Sequence, residues 1–332
     1  MELLEADERA LVKGFVINKF RGDATLLDPG LEFLEKRTGV ATLGVLPYFT
    51  DIHIPEEDSL GLPTESSHRD AVLDIAVMKL PHIANFDDFD PLRRHPGVNI
   101  RFVPDLPGFG NPDLVVIPGS KTTIADLAWM RQHGLDEAVL RHRHAGKPII
   151  GICAGYQILG ERLIDPEGTE GPAGETPGLG LLPVTTVFKA PKTTTQTEAR
   201  VLRGEGLLAR CLGEMIRGYE IHMGQTAFVD SAVAPFGITC RSGIQTDGVD
   251  GATSPDGRVL GTYLHGLFHN RGIRRGILDQ LAEWKGARLP PEADFDQYRE
   301  YDRLADFVEQ HLDLDRFCCA VGLQGLWPEK PR

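Results

Sequence analysis

Cys153 stands in PIIGICAGYQILG (148–160), where a short apolar run meets Gly151 and Gly155 and then residues of helical character. That layout resembles a nucleophile elbow, in which small neighbours permit a sharp strand-to-helix turn that lifts a thiol above a sheet, beside the positive end of the next helix. A cysteine so placed tends toward the reactive thiolate. A buried structural cysteine is the commoner fate of a free thiol, yet a core strand has no need of glycine on both sides of one. A thiol nucleophile also needs a base and donors for an oxyanion. His265 in GTYLHGLF (261–268) ends an apolar run, is followed by Gly266, and is the candidate base. His222 in GYEIHMG (218–224) is a rival, and His269 lies close by in the chain. His53, His68, His82, His95, His133, His142, His144 and His311 read as solvated residues of loops and helix surfaces. For the oxyanion, the candidates are the N–H of Ala154 and a second donor from the turn IPGSK, through Gly119 and Ser120; Pro-Gly alone is also an ordinary turn signal.

These residues need a sheet to hold them. VLDIAVMKLP from Val72, VNIRFV (98–103), DLVVIPGS (113–120) and KPIIGICAG (147–155) are short apolar runs that fit strands buried on both faces. Helical spacing between the last two, at Ile124, Leu127, Ala128, Leu135, Ala138 and Val139 with a break at Gly134, predicts crossovers and a mostly parallel α/β sheet. DPEGTEGPAGETPGLG (165–180) reads as loop, and LLPVTTVF (181–188), GYEIHMG and VLGTYLHGLF (259–268) as further strands. Ahead of this region, LVKGFVINKF (11–20), LDPGLEFLEKRTG (27–39) and VATLGVLPYF (40–49) form a βαβ pattern, and the polar stretch 50–70 reads as a linker. Residues 298–314 carry the spacing of an amphipathic helix. The expected organisation is therefore a segment 1–66, a domain 71–272 and a helical tail 273–332.

In 332 residues, 35 Lys and Arg against 48 Asp and Glu give a net charge of −13, which disfavours nucleic acid and anionic membranes as partners. No run of about 18 apolar residues occurs, and the acidic start MELLEADERALVKG lacks the features of a signal peptide, so a cytoplasmic location is expected. Five dispersed cysteines without C-x-x-C spacing predict neither a disulfide framework nor a metal site.

The ordered motifs VIPGSKTTIADLAWM, GICAGYQILG, GLGLLPVTTVF, GYEIHMG and GTYLHGLF resemble the class I glutamine amidotransferases, in the subfamily of the cobalamin pathway. The resemblance covers nearly the whole chain. It implies a flavodoxin-like amidotransferase domain preceded by the end of a P-loop-type α/β synthetase domain. It further implies that Cys153 attacks the amide of L-glutamine, that His265 handles protons, and that Gly119, Ser120, Ala154 and Gln157 serve the oxyanion and the glutamine. Gln157 fits a packing or capping amide equally well. The implied acceptor is adenosylcobyrinic acid a,c-diamide, whose b, d, e and g carboxylates become amides with ATP and Mg²⁺. The sister reaction at the a and c side chains is the nearest alternative. Another thiol hydrolase on this fold and a non-catalytic relative are the others.

Two departures stand out. Many class I amidotransferases carry a glutamate two residues past the histidine, where this chain has Leu267; either a backbone carbonyl orients His265 or another acid does, and Glu220 is the candidate, with a solvated strand-edge carboxylate as the alternative. No G-x-x-x-x-G-K-[ST] loop occurs. No tightly bound cofactor is expected, and the chain is expected to be an N-terminally shortened or late-started form missing most of an ATP-binding half. Asn18 has two readings: the resemblance sets it near a nucleotide base, and a plain strand-end polar residue fits it as well.

Overall fold

The computed structural model describes residues 1–49, 52, 71–189, 192–229, 233–292 and 297–323. The linker expected over 50–70 lies outside them, Ile52 excepted. Contacts divide the chain into two units, Met1–Pro55 with Asp294–Arg332, and Glu56–Ala293.

In the first unit, α1 (Ala6–Leu11) precedes β1 (Phe15–Phe20), α2 (Asp28–Thr38) and β2 (Thr42–Pro47). Strands β1 and β2 pair in parallel, as a βαβ unit requires. Pro29 in the first turn of α2 and Gly39 at its end, with φ 68°, mark both limits of that helix. Asn18 is an exposed residue of β1.

The second unit is built on a six-stranded sheet. Its strands are β3 (Leu73–Met78), β4 (Val98–Val103), β5 (Leu114–Ile117), β6 (Ile149–Ile152), and, late in the chain, β15 (Ala252–Thr253) and β16 (Val259–Thr262). The spatial order is β15-β16-β6-β5-β3-β4, all parallel except β15. Counted along the parallel strands this is the 2-1-3-4-5 order of flavodoxin-like sheets, in which ligands meet the carboxyl ends of the strands. The crossovers include α3 (Asp90–Arg93), α4 (Leu106–Phe109), α5 (Thr123–Gln132), α6 (Leu135–His144) and α7 (Ala154–Leu159), and α8 (Arg271–Trp284) follows the sheet. Gly134, at φ 67°, separates α5 from α6 as its position in the pattern predicts. Every residue of β5, β6 and β16 is buried, and each Val, Leu or Ile so placed contributes roughly 1.5–3 kcal/mol.

Two further sheets were not read in full from the sequence. One joins β7 (Arg162–Asp165), β8 (Gly174–Pro177), β9 (Val184–Val187) and β12 (Gln225–Phe228); the other joins β10 (Thr193–Val201), β11 (Met215–His222), β13 (Phe236–Arg241) and β14 (Ile244–Asp250) in the order β11-β10-β13-β14. The stretch 165–180 is therefore not all loop: β8 pairs antiparallel with β7. His95 and His142, expected to be solvated, are buried. The tail 273–332 is shared between the units. Helix α8 packs in the second, whereas α9 (Gln297–His311) and α10 (Leu314–Val321) belong with β2 in the first.

Candidate active site

The elbow is real geometry. Cys153 follows β6 at φ 54°, ψ −106°, a conformation that L residues adopt at a cost of order 1–3 kcal/mol. Two glycines make the bend sterically feasible. A Cβ on Gly155 would lie 1.9 Å from the Ile117 carbonyl oxygen, and one on Gly151 would lie 2.6 Å from the Gly155 backbone. The first turn of α7 is thereby seated directly on β5 and β6. Ala154 opens that helix, where first-turn N–H groups have no partner within the helix. The Cys153 N–H donates to Thr262 O (2.8 Å), tying the elbow to β16, and its thiol points to Ile221 O (3.5 Å).

His265 lies just past β16, the strand beside β6. It is fully buried, and its backbone pairs with Tyr219 of β11. The Tyr219 ring stacks on the imidazole, with centroids 5.0 Å apart and planes at 14°. Nδ1–H donates to Asp88 Oδ2 at 2.7 Å, and Asp88 Oδ1 accepts the Gly266 N–H at 2.6 Å. Burial alone would depress the His265 pKa, but the charge and hydrogen bond of Asp88, followed by the neighbouring Cys153 sulfur, lift it to about 10. The carboxylate beside the ring thus favours its charged form. Asp88 comes from a 3-10 turn, Phe86–Phe89, after β3. Sequence reasoning missed it: the local pattern, acids among phenylalanines in the loop after β3, does not tell Asp88 from Asp87 or Asp90.

Glu220 is not the partner of His265. Tyr219 faces the imidazole, and alternation along β11 sends the next side chain to the other face. There Glu220 accepts from Arg241 Nε (2.7 Å) and Thr197 Oγ1 (2.9 Å). Burial would raise its pKa, but Arg241 and Thr197 hold the carboxyl below the usual range. Its alternative reading as a solvated carboxylate fails too, since it is buried.

The remaining candidates divide. Gly119 borders the site, for a Cβ there would stand 3.0 Å from His265 Cε1. The Ser120 hydroxyl is committed to the loop itself, donating to Asp126 Oδ2 (2.5 Å) and accepting from Thr122 N–H (3.0 Å). Gln157 is not presented as a free amide. It is buried, with Oε1 bonded by Thr123 Oγ1 (2.8 Å) and Nε2 donating to Met223 O (2.9 Å) and Tyr263 OH (3.1 Å). Of the rival histidines, His222 stacks on Tyr263 at 3.7 Å, and His269 Nε2 bonds Asp87 O at 2.7 Å. Among the described residues, no group of three or more His, Cys, Asp or Glu is arranged to hold a metal ion, and no helix is long and apolar enough to cross a membrane.

A second buried acid supports the site from below. Asp250 accepts from Thr262 Oγ1 and from the Tyr263 N–H (3.1 Å), fixing the end of β16 that carries the Cys153 contact. Burial pushes its carboxyl up to about 6 against the pull of these bonds. The unfolded value is near 3.9, so between about pH 4 and 6 the folded chain holds more protons, and stability falls as pH rises. Asp250→Asn cannot titrate. Its stability relative to the wild type is expected to improve by about 3 kcal/mol between pH 4 and 7, read by urea unfolding across that range; a difference constant with pH would contradict this.

Comparison with known proteins agrees with this geometry. The CobB/CobQ-like glutamine amidotransferase domain matches residues 74–273. Cobyric acid synthases of Dehalococcoides mccartyi (strain CBDB1), Moorella thermoacetica and Sorangium cellulosum are 44%, 45% and 46% identical to the chain, over 95%, 98% and 97% of it. The chain spans 63%, 63% and 65% of their respective lengths. An elbow cysteine, a histidine just past the adjacent parallel strand and a family match that runs through both lead to one assignment: the chain belongs to the CobB/CobQ-like glutamine amidotransferases.

Proposed function

We propose that this chain carries the glutamine-hydrolysing site of a cobyric acid synthase working in the cytoplasm. The observation that carries the reading is the strained Cys153 elbow beside His265, whose Nδ1–H is held by Asp88. The Cys153 sulfur, reacting as the thiolate, attacks the side-chain carbonyl carbon of L-glutamine. The backbone N–H groups of Ala154 and the Gly119 turn are suited to receive the developing oxyanion. His265 delivers its proton to the departing nitrogen, so that ammonia leaves and a γ-glutamyl thioester remains. Water then attacks the thioester, yielding its proton through His265 to the sulfur and releasing glutamate.

In the whole synthase the ammonia would amidate the b, d, e and g carboxylates of adenosylcobyrinic acid a,c-diamide with ATP and Mg²⁺. These 332 residues contain no glycine-rich phosphate loop to cradle ATP. That half-reaction is assigned to an ATP-binding part, the partner of this site.

The test is release of ammonia and glutamate from L-glutamine, together with labelling by a glutamine-mimicking diazoketone. Equal amounts of the two products and one label per chain, on Cys153, are expected. Cleavage of esters or peptides without glutamine turnover would favour a general thiol hydrolase. Neither turnover nor labelling would favour a non-catalytic relative.

A further inference from the structure

Leu267, two residues past His265, is apolar and fully buried, so the strand's own continuation cannot orient the imidazole. The loop after β3 reaches it instead. Asn85 heads the turn in the left-handed region (φ 57°, ψ 53°), which asparagine tolerates better than most residues. Its Nδ2 donates to the Tyr219 hydroxyl at 2.7 Å, fastening the ring that stacks on His265. One residue earlier, the Ala84 N–H donates to Gly119 O at 2.9 Å, and His82 Nδ1 bonds Asp126 Oδ1 at 2.8 Å, the carboxylate that also holds Ser120. At the other end of the turn, Asp88 grips both His265 Nδ1–H and the Gly266 N–H while itself 1% exposed.

We propose that Asp88 is the acid that orients His265 for glutamine hydrolysis, and that the segment 82–88 sets the imidazole and the Gly119 turn in register with each other. Asp88 touches no substrate and is a positioning residue. The proposal rests on the glutaminase reading above and replaces Glu220 with an acid from a distant part of the chain.

The titratable groups facing the imidazole are Asp88 and Asp87 on the turn, Cys153 on the elbow, and Tyr219 and His222 on β11. Among the described residues, Asp88 is the acceptor of its Nδ1–H. Burial opposes the imidazolium, so removing the carboxylate leaves burial to dominate and the ring titrates lower.

The experiment compares wild type, Asp88→Asn and Asp88→Glu between pH 5 and 10, reading ammonia release, diazoketone labelling of Cys153 and the NMR titration of His265. Asp88→Asn is expected to lower kcat by on the order of 100-fold or more, with KM within a few-fold, the split expected when a group acts in the transition state. The alkaline limb of both rate profiles should move down by at least about one pH unit, and Asp88→Glu should recover at least about tenfold of the loss. A lower rate with an unmoved limb would reduce Asp88 to a packing role and overturn the proposal. Independently of any variant's folding, wild-type His265 must titrate above about pH 8, and a midpoint below about 7, near the free imidazole value, overturns it. If the labelling limb moves but wild type releases no ammonia, the glutaminase reading falls and Asp88 stands; ammonia release with an unmoved limb has the opposite meaning.

Discussion

Cys153→Ala is expected to reduce ammonia release from glutamine by about 10⁴-fold or more while leaving the chain folded, because it removes the sulfur on which the proposed thioester forms. The backbone makes a second, less usual outcome testable in the same variants. Cys153 holds φ 54° because β6 and α7 together demand the bend, and alanine, which keeps a Cβ, keeps that strain. Glycine relieves it. Strain of about 1–3 kcal/mol exceeds the roughly 0.4–1 kcal/mol that glycine loses through the freer unfolded chain. Cys153→Gly should therefore be as inactive as Cys153→Ala yet more stable by about 1 kcal/mol in denaturant unfolding. An alanine variant more stable than the glycine one would mean that the elbow is not strained, and a variant of either kind that still yields ammonia would remove Cys153 from the chemistry.

What the sequence disclosed about this site follows the range over which each signal acts. The elbow was legible because its sequence mark is local: Gly151, Cys153 and Gly155 lie within five residues, although the atoms that require glycine at 155 belong to β5. His265 was legible because a polar residue ending an apolar strand stands out against its surroundings. The parallel strands were legible for the same reason, as runs such as LVVI and IIGI are buried on both faces. The antiparallel sheet was harder. In TTTQTEARV, threonine supplies much of the alternation, and only Thr197, Ala199 and Val201 are buried, so apolar periodicity is faint.

The acid that orients His265 could not be found by such signals. Asp87, Asp88 and Asp90 are near-identical in local context, and only the assembled sheet brings one of them to the imidazole. Glu220 was attractive because it sits beside the site in a recognisable motif. Yet a strand turns successive side chains to opposite faces, and the antiparallel pairing of Tyr219 with His265 commits Tyr219 to the catalytic face. Arg241 and Thr197 then supply what a buried carboxylate on the other face needs. The paired partner across the bridge, rather than the nearest acid in sequence, decides which face reaches the histidine.

Gly155→Ala is the sharpest test of the elbow itself. In a helix this change ordinarily stabilises by about 1 kcal/mol. Here the added Cβ would fall 1.9 Å from Ile117 O and 2.6 Å from Ile117 C, both backbone atoms of a central strand that cannot swing aside as a side chain can. Overpacking costs about 1–3 kcal/mol, and a contact this close to immobile backbone belongs at the upper end, so the sign reverses and a net loss of about 2 kcal/mol is expected in urea unfolding. The folded fraction should also turn over glutamine about 100-fold more slowly, since relief of the contact moves the sulfur by on the order of 1 Å relative to His265. Gly171→Ala supplies the control, because a Cβ there meets nothing within 4 Å, and its stability should stay within about 0.5 kcal/mol of wild type. Should Gly155→Ala prove as stable and as active as the control, the close seating of α7 on β5 would not be what shapes the site, and the elbow would have to owe its geometry to the strand alone.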